Sequence, residues 1–178
     1  VDSGAEILGP ALYGFGAYET FQSAPDWSVL SRNYDWFIDY YLDKMRAAEE
    51  RHGRRLLHYL DVHWYSEARG DSRVVLDGDA LSPNDILARV QAPRTLWDPS
   101  YREKSWIADF KRAWLPIIPR LKESIDRFYP GTKLAFTEFG YGGANHISGG
   151  LAHADALGIF GKSGVDLANF WQTQDDNA

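Results

Sequence analysis

The sequence predicts an α/β fold built as a partial (β/α)8 TIM barrel, and three observations carry that reading. Short apolar segments centred near residues 8, 59, 135 and 168 have strand length and are separated by turn residues and helical stretches. Every connection between them contains residues with helical spacing, so each is a crossover and right-handed parallel βαβ units are the economical topology. The first strand lacks the Gly-x-Gly-x-x-Gly turn, with an acidic residue about 20 positions on, that marks a dinucleotide-binding doubly wound sheet. Four such strands are half of an eight-stranded barrel, and 178 residues with 44% hydrophobic content supply one core rather than two.

Taken in order, residues 5–12 form the first strand, and Tyr13-Gly-Phe-Gly-Ala-Tyr18 is the loop after it, leaving Tyr18, Phe21 and Trp27 free to face a ligand. From Asn33 to Gly53 the spacing of Phe37, Tyr40, Tyr41, Met45 and Ala48 is helical, with Asn33 as N-cap and Gly53 as stop. Residues 55–62 are the second strand, which exits on His63-Trp64-Tyr65. A long loop over 66–81 leads into a short helix from Ser82 through Val90, and 102–113 is a further helix. Pro116 and Pro119 interrupt before Ile118, Leu121, Ile125 and Phe128 mark an amphipathic helix. The turn Pro130-Gly131 precedes a third strand through Thr137, which ends on Glu138. Gly140, Gly142 and Gly143 then allow positive φ angles, residues 147–160 form a helix, 165–170 a fourth strand closed by Trp171, and 172–178 a polar tail.

Composition removes several function classes. A net charge of −6, with no run of Lys and Arg interleaved with aromatics, argues against a nucleic-acid partner. The absence of cysteine excludes disulfides, thiolate metal sites and Cys nucleophiles. No run of 18 apolar residues and no basic-then-apolar start occurs, so neither a membrane span nor a signal peptide is expected in the chain, which opens on Val-Asp-Ser-Gly without methionine. The seven Trp, ten Tyr and nine Phe exceed what a core of this size needs, and flat aromatic faces also stack on sugars, which points to a glycan ligand.

The chemistry gathers at strand exits. Glu138 alone fits a turn cap or an arginine partner as well as a reacting group. In a barrel, however, the exits bearing Tyr13, His63 with Tyr65, Glu138 and Trp171 converge on one face. That set suits a carboxylate nucleophile of a retaining glycosidase, with Tyr65 and His63 as donors to the carboxylate and Trp171 as a sugar platform. His63 also reads as a supporting histidine and Tyr65 as a packing tyrosine. Trp106 and Phe110, one helical turn apart, can share a face, and Trp64, Tyr141 and Tyr18 complete the candidate aromatic set.

The run T-E-F-G-Y-G-G-A-N-H-I-S-G-G-L-A-H-A-D-A-L-G-I-F-G at 137–161, with L-G-P-A-L-Y-G-F, D-V-H-W-Y and L-A-N-F-W in the same order, resembles glycoside hydrolase family 44 over essentially the whole chain. The resemblance implies a retaining (β/α)8 enzyme, secreted, acting inside β-1,4-glucan chains such as carboxymethylcellulose and, in some members, xyloglucan. It implies that residues 1–171 are the C-terminal half of the barrel, strands five to eight, with the nucleophile at Glu138. The strand-six pair falls on His63 and Tyr65, the strand-eight Trp on Trp171, and cleft aromatics on Trp106 and Phe110. The family's acid/base is a Glu directly after an Asn on strand four, and the sequence contains no Asn-Glu pair. The resemblance therefore implies that the N-terminal half barrel, its acid/base and the family's β-sandwich are missing from these residues, so that the isolated chain is inactive or very weak.

Other readings carry less. A glycan-binding module would use the same aromatics without a reactive carboxylate. The glycines before the helix at 147 resemble a phosphate loop, but the acidic balance and Glu138 oppose it. His146, His153 and Asp155 lack a recognised metal spacing, so no metal and no cofactor are expected.

Overall fold

The computed structural model describes residues 2, 4–75 and 80–171. Four strands, β1 (Leu8–Leu12), β2 (Tyr59–Tyr65), β3 (Lys133–Gly140) and β4 (Leu167–Phe170), lie side by side in chain order, each parallel to the next. Every crossover contains helix, so the sheet is the parallel half barrel that the sequence predicts. Residues 172–178, the predicted polar tail, and 76–79 of the predicted long loop lie outside the described residues.

Alternation gives the sheet two different faces. Leu60, Val62 and Trp64 of β2 and Leu134, Phe136 and Phe139 of β3 are buried in the core that the helices cover. Tyr59, Asp61, His63 and Tyr65 point the other way, toward what is the inside of a barrel. This explains why β2 and β3 run three residues past the predicted ends at 62 and 137. A continuous apolar run stops at the first polar residue, whereas a barrel strand continues through polar residues that face inward. Residues 55–58 precede the strand instead: the Arg55 guanidinium donates to the Leu57 carbonyl (2.9 Å) and Thr132 Oγ1 (2.6 Å) and lies 4.2 Å over the Tyr129 ring.

The helices are α1 (Phe15–Thr20), α2 (Trp27–Leu30), α3 (Phe37–His52), α4 (Pro83–Gln91), α5 (Trp106–Phe110), α6 (Ile117–Phe128) and α7 (Ile147–Ser163). The predicted loop at 13–18 is largely α1, because Phe15, Ala17 and Tyr18 have a core to bury against. Helix α3 starts four residues after the predicted N-cap Asn33. Its start is fixed by Trp36, whose indole N–H donates to Asp39 Oδ1 (2.8 Å) and Ser124 Oγ (2.9 Å) and whose ring stacks on Trp114 at 4.6 Å. Ser124 Oγ donates in turn to Asp39 Oδ1 (2.6 Å), so a satisfied polar knot joins α3 to α6 inside the core.

Helix α4 opens with Pro83 and a reciprocal cap in which the Ser82 hydroxyl accepts from Asp85 N and the Asp85 carboxylate accepts from Ser82 N, worth about 1 kcal/mol. The predicted helix over 102–113 shrinks to α5. Ser105 caps it by accepting from Ala108 N (3.0 Å), and Glu103 is held extended before it by the Thr95 hydroxyl (2.7 Å). Helix α7 runs on to Ser163 through Gly161 and ends where Gly164 takes φ +63°.

Candidate active site

The carboxyl ends of β2 and β3 place three predicted residues together. Glu138 Oε2 accepts the Tyr65 hydroxyl at 2.9 Å and lies 3.2 Å from His63 Nδ1, an approach that is not along a hydrogen-bond direction. The other carboxylate oxygen, Oε1, accepts no hydrogen bond from the described residues. About a quarter of the Glu138 side chain (27%) remains exposed, so a ligand on the inner face can reach it. Burial, with the neighbouring Glu138 carboxylate, raises the Tyr65 phenol well above its ordinary pKa, so it stays a donor at neutral pH.

The pairing is built by register. Val62 lies opposite Phe136, but His63 lies opposite Glu138, so Thr137 is an extra residue in β3. Tyr65 then faces Gly140, where a Cβ would stand 3.3 Å from the Tyr65 ring; the small residue gives the phenol its place. Gly140 is in the strand and does not take the positive φ that the sequence reading assigns to it. Gly142 (+65°) and Gly143 (+70°) do. The backbone at His63 is held from behind, since the Tyr18 hydroxyl donates to the His63 carbonyl.

The aromatic candidates divide by exposure. Trp171 is 56% exposed next to the site, its backbone N–H donating to the Phe139 carbonyl at 3.3 Å. Trp106 and Phe110 are both exposed on α5, and Trp106 meets Phe15 edge-on at 5.7 Å beside a small cavity it shares with Tyr13, Tyr18, His63 and Tyr65. Three candidates are corrected. Tyr18, Trp64 and Tyr141 are buried, Tyr18 completely, rather than exposed as cleft aromatics. Trp64 occupies the outward position of an alternating strand and Tyr141 turns into the core after β3, so their size serves packing. Sequence reading did not single out Asp61 or Tyr18 as supports of the site; an aspartate two positions before His63 in an apolar strand was the available signal for the first.

Parallel βα units with a donor-held carboxylate and exposed aromatics at the carboxyl ends of adjacent strands place these groups where (β/α)-barrel proteins build their sites. Comparison with known proteins names the family. Residues 1–68 match the sequence model of glycoside hydrolase family 44. The chain is 60% identical over 176 residues to endoglucanase A of Paenibacillus lautus, covering 99% of this chain and 25% of that protein. Among solved structures, a family 44 endoglucanase from Clostridium thermocellum superposes with a TM-score of 0.94 at 61% identity. A Paenibacillus polymyxa xyloglucanase of family 44, solved with xyloglucan, does so with 0.94 at 55%. These cover 96% and 98% of this chain and 34% of each solved chain. Over nearly its whole length the chain is similar to glycoside hydrolase family 44 proteins, and it spans about a quarter to a third of the length of these relatives.

Proposed function

We propose that these residues carry the nucleophile half of a retaining endo-β-1,4-glucanase site. The observation that carries the reading is the Glu138 carboxylate: one oxygen is held by Tyr65 beside His63, and the other accepts no hydrogen bond among the described residues. A retaining glycosidase needs that arrangement, because one carboxylate oxygen must attack the anomeric carbon while the group stays ionised and fixed. In the first step the Glu138 Oε1–carbon bond forms, the glycosidic bond breaks, and a general acid protonates the leaving oxygen. Water then hydrolyses the glycosyl ester and returns the carboxylate. The names of the relatives favour cellulose-type glucan and xyloglucan as substrates; Trp171 and Trp106 are proposed as sugar platforms on the strength of their exposure, and secretion of the enzyme is proposed from the family resemblance alone.

The acid partner expected by family resemblance, a Glu after an Asn, is not among the 178 residues. The isolated chain is therefore proposed to hydrolyse polysaccharide very weakly or not at all, since losing general acid catalysis typically costs on the order of 10² to 10⁴ in rate. The test is a chimaera in which these residues replace the matching stretch of the Paenibacillus polymyxa xyloglucanase. The chimaera should release reducing sugar from xyloglucan or carboxymethylcellulose, and Glu138→Gln should abolish that release. A 2-deoxy-2-fluoro cellobioside should leave its covalent mass on the peptide containing Glu138. Label on another carboxylate, or an active Glu138→Gln chimaera, overturns the reading. Turnover by the isolated 178 residues comparable to the chimaera's overturns the proposed dependence on an absent acid.

A further inference from the structure

The parity of β3 changes at one residue. Paired residues of parallel neighbours share a face, so Ala135, opposite the inward Asp61, faces in, and Phe136, opposite Val62, faces out. Strict alternation would then send Thr137 in and Glu138 out, into the core under the helices. The extra residue at Thr137 resets the count: Glu138 pairs with His63 and faces in, and Phe139 pairs with Trp64 and faces out. Without this bulge the carboxylate would share the buried side of Phe136.

A bulge leaves its extra residue outside the ladder, so its backbone N–H needs another acceptor in a place closed to water. Asp61 is that acceptor. Its Oδ1 accepts Thr137 N–H at 3.1 Å, and the Thr137 hydroxyl lies 2.8 Å from both Oδ1 and Oδ2. The aspartate is 4% exposed, its carboxylate bonds to no other residue among those described, and its register partner is Ala135, whose small side chain leaves room for the carboxylate. Burial raises its pKa, an effect that Thr137's two donors and His63 oppose and Glu138 adds to. A buried carboxylate is costly unless its partners are in place, so this one is poorly explained as filler.

We propose that Asp61 is a positioning residue for Glu138: by accepting the amide and hydroxyl of Thr137 it holds the bulge that turns Glu138 from the core side of β3 to the inner face beside His63 and Tyr65. The kinetic consequence rests on the nucleophile reading of Glu138; the geometric one does not. The partner need not be charged. Asparagine in the same rotamer can accept the Thr137 amide through its oxygen and donate to the Thr137 hydroxyl through its nitrogen.

The test uses the same chimaera, with kinetics on xyloglucan, melting temperature and a crystal structure for each variant. Asp61→Asn is expected to keep Glu138 against Tyr65 and to keep kcat within about fivefold, each 1.36 kcal/mol of lost transition-state stabilisation being tenfold. Asp61→Ala is expected to lower kcat about 100-fold or more with KM within threefold, and its structure to show the Tyr65–Glu138 contact broken. Thr137→Val, which keeps shape and the amide but loses the hydroxyl, serves if the alanine variant does not fold, with kcat expected about tenfold down. An alanine or valine variant with kcat within threefold of the parent, or with Glu138 still bonded to Tyr65, overturns the proposal. So does an asparagine variant as impaired as alanine. An unsubstituted chimaera without activity counts against the glucanase reading alone; the crystal structures then decide the positioning.

Discussion

Replacing Tyr65 by Phe removes one hydroxyl and keeps the ring, so it isolates the 2.9 Å bond to Glu138 Oε2. Hydrogen bonds to charged groups contribute about 1.5–3 kcal/mol, and each 1.36 kcal/mol is tenfold in rate. The upper end applies to buried acceptors. Glu138 is about a quarter exposed and His63 Nδ1 stands 3.2 Å from the same oxygen, so water and the imidazole can replace part of what is lost. The expected loss is therefore about 10- to 30-fold. It should fall on kcat with KM little changed, because on the proposed reading the bond holds the nucleophile rather than the sugar. The ring contact with Gly140 is unchanged by the substitution, so the melting temperature should move by no more than about 2 °C. The assay is steady-state hydrolysis of xyloglucan and of an activated aryl cellobioside by the chimaera. With the activated leaving group protonation matters less, and kcat/KM still reports attack by Glu138, so a similar loss in kcat/KM is expected on both substrates. A change under threefold refutes the view that Tyr65 holds the carboxylate for attack, and a loss confined to xyloglucan assigns the hydroxyl to substrate binding instead.

Trp171→Ala should raise KM for polysaccharide about five- to tenfold with little change in melting temperature, since the ring is 56% exposed and its loss removes a platform rather than core; an unchanged KM in the chimaera removes it from the cleft. Glu103→Gln should stabilise the folded chain at pH 7. Burial raises the Glu103 carboxyl, the Ser105 and Thr95 hydroxyls offset only part of that, and the charge of Glu67 adds to it. A carboxyl whose folded pKa lies above its unfolded value contributes most below the unfolded value, ~4.3, and that contribution is lost as pH rises through the folded value. Glutamine carries no such loss, so the variant should melt higher at pH 7, by about 2–4 °C per kcal/mol, with the gap closing toward pH 4. A gap that widens on acidification reverses the sign of the argument.

Much of the architecture follows from residue patterns alone. The number and order of the strands, the stop at Gly53, the helix start at Ser82 and the amphipathic face of α6 are local signals, set by backbone preference and helical spacing, and they reappear in the structure, whereas β1 and β2 begin at residues 8 and 59, where the sequence places their centres. Strand ends were harder to read because a barrel strand is apolar on one side only. The convergence of Glu138, His63 and Tyr65 followed from topology once the strands were parallel. What alternation could not show was which way Glu138 points, because a single extra residue reverses parity and a bulge leaves no mark in hydrophobicity. For the same reason Trp64 and Tyr141 looked like cleft residues: adjacency to His63 and Glu138 in sequence places alternate side chains on opposite faces, and theirs is the core.

The inner face shows why chemistry belongs at one end of the sheet. At the amino end Lys133 pairs with Glu6 at 2.9 Å and lies over the Tyr59 ring, and in the middle Asp61 is satisfied by Thr137, so both levels are closed structural contacts. Only at the carboxyl end does a carboxylate keep an oxygen without a partner among the described residues. The loop after it is tied down from the helix side. The Arg89 guanidinium, wholly buried, donates to the carbonyls of Tyr141 (3.1 Å) and Ala80 (2.9 Å) and to Ser148 Oγ (2.9 Å). Gly143 sits so close that a Cβ would meet Arg89 Nε at 2.8 Å. The strand that carries Glu138 is thus fixed before it by Asp61 and after it by Arg89, two buried residues that hold the backbone, while Tyr65 holds one oxygen of the carboxylate. A carboxylate held this way needs little reorganisation to attack, and preorganisation of charged groups around a reacting centre is usually where an active site gains most of its rate.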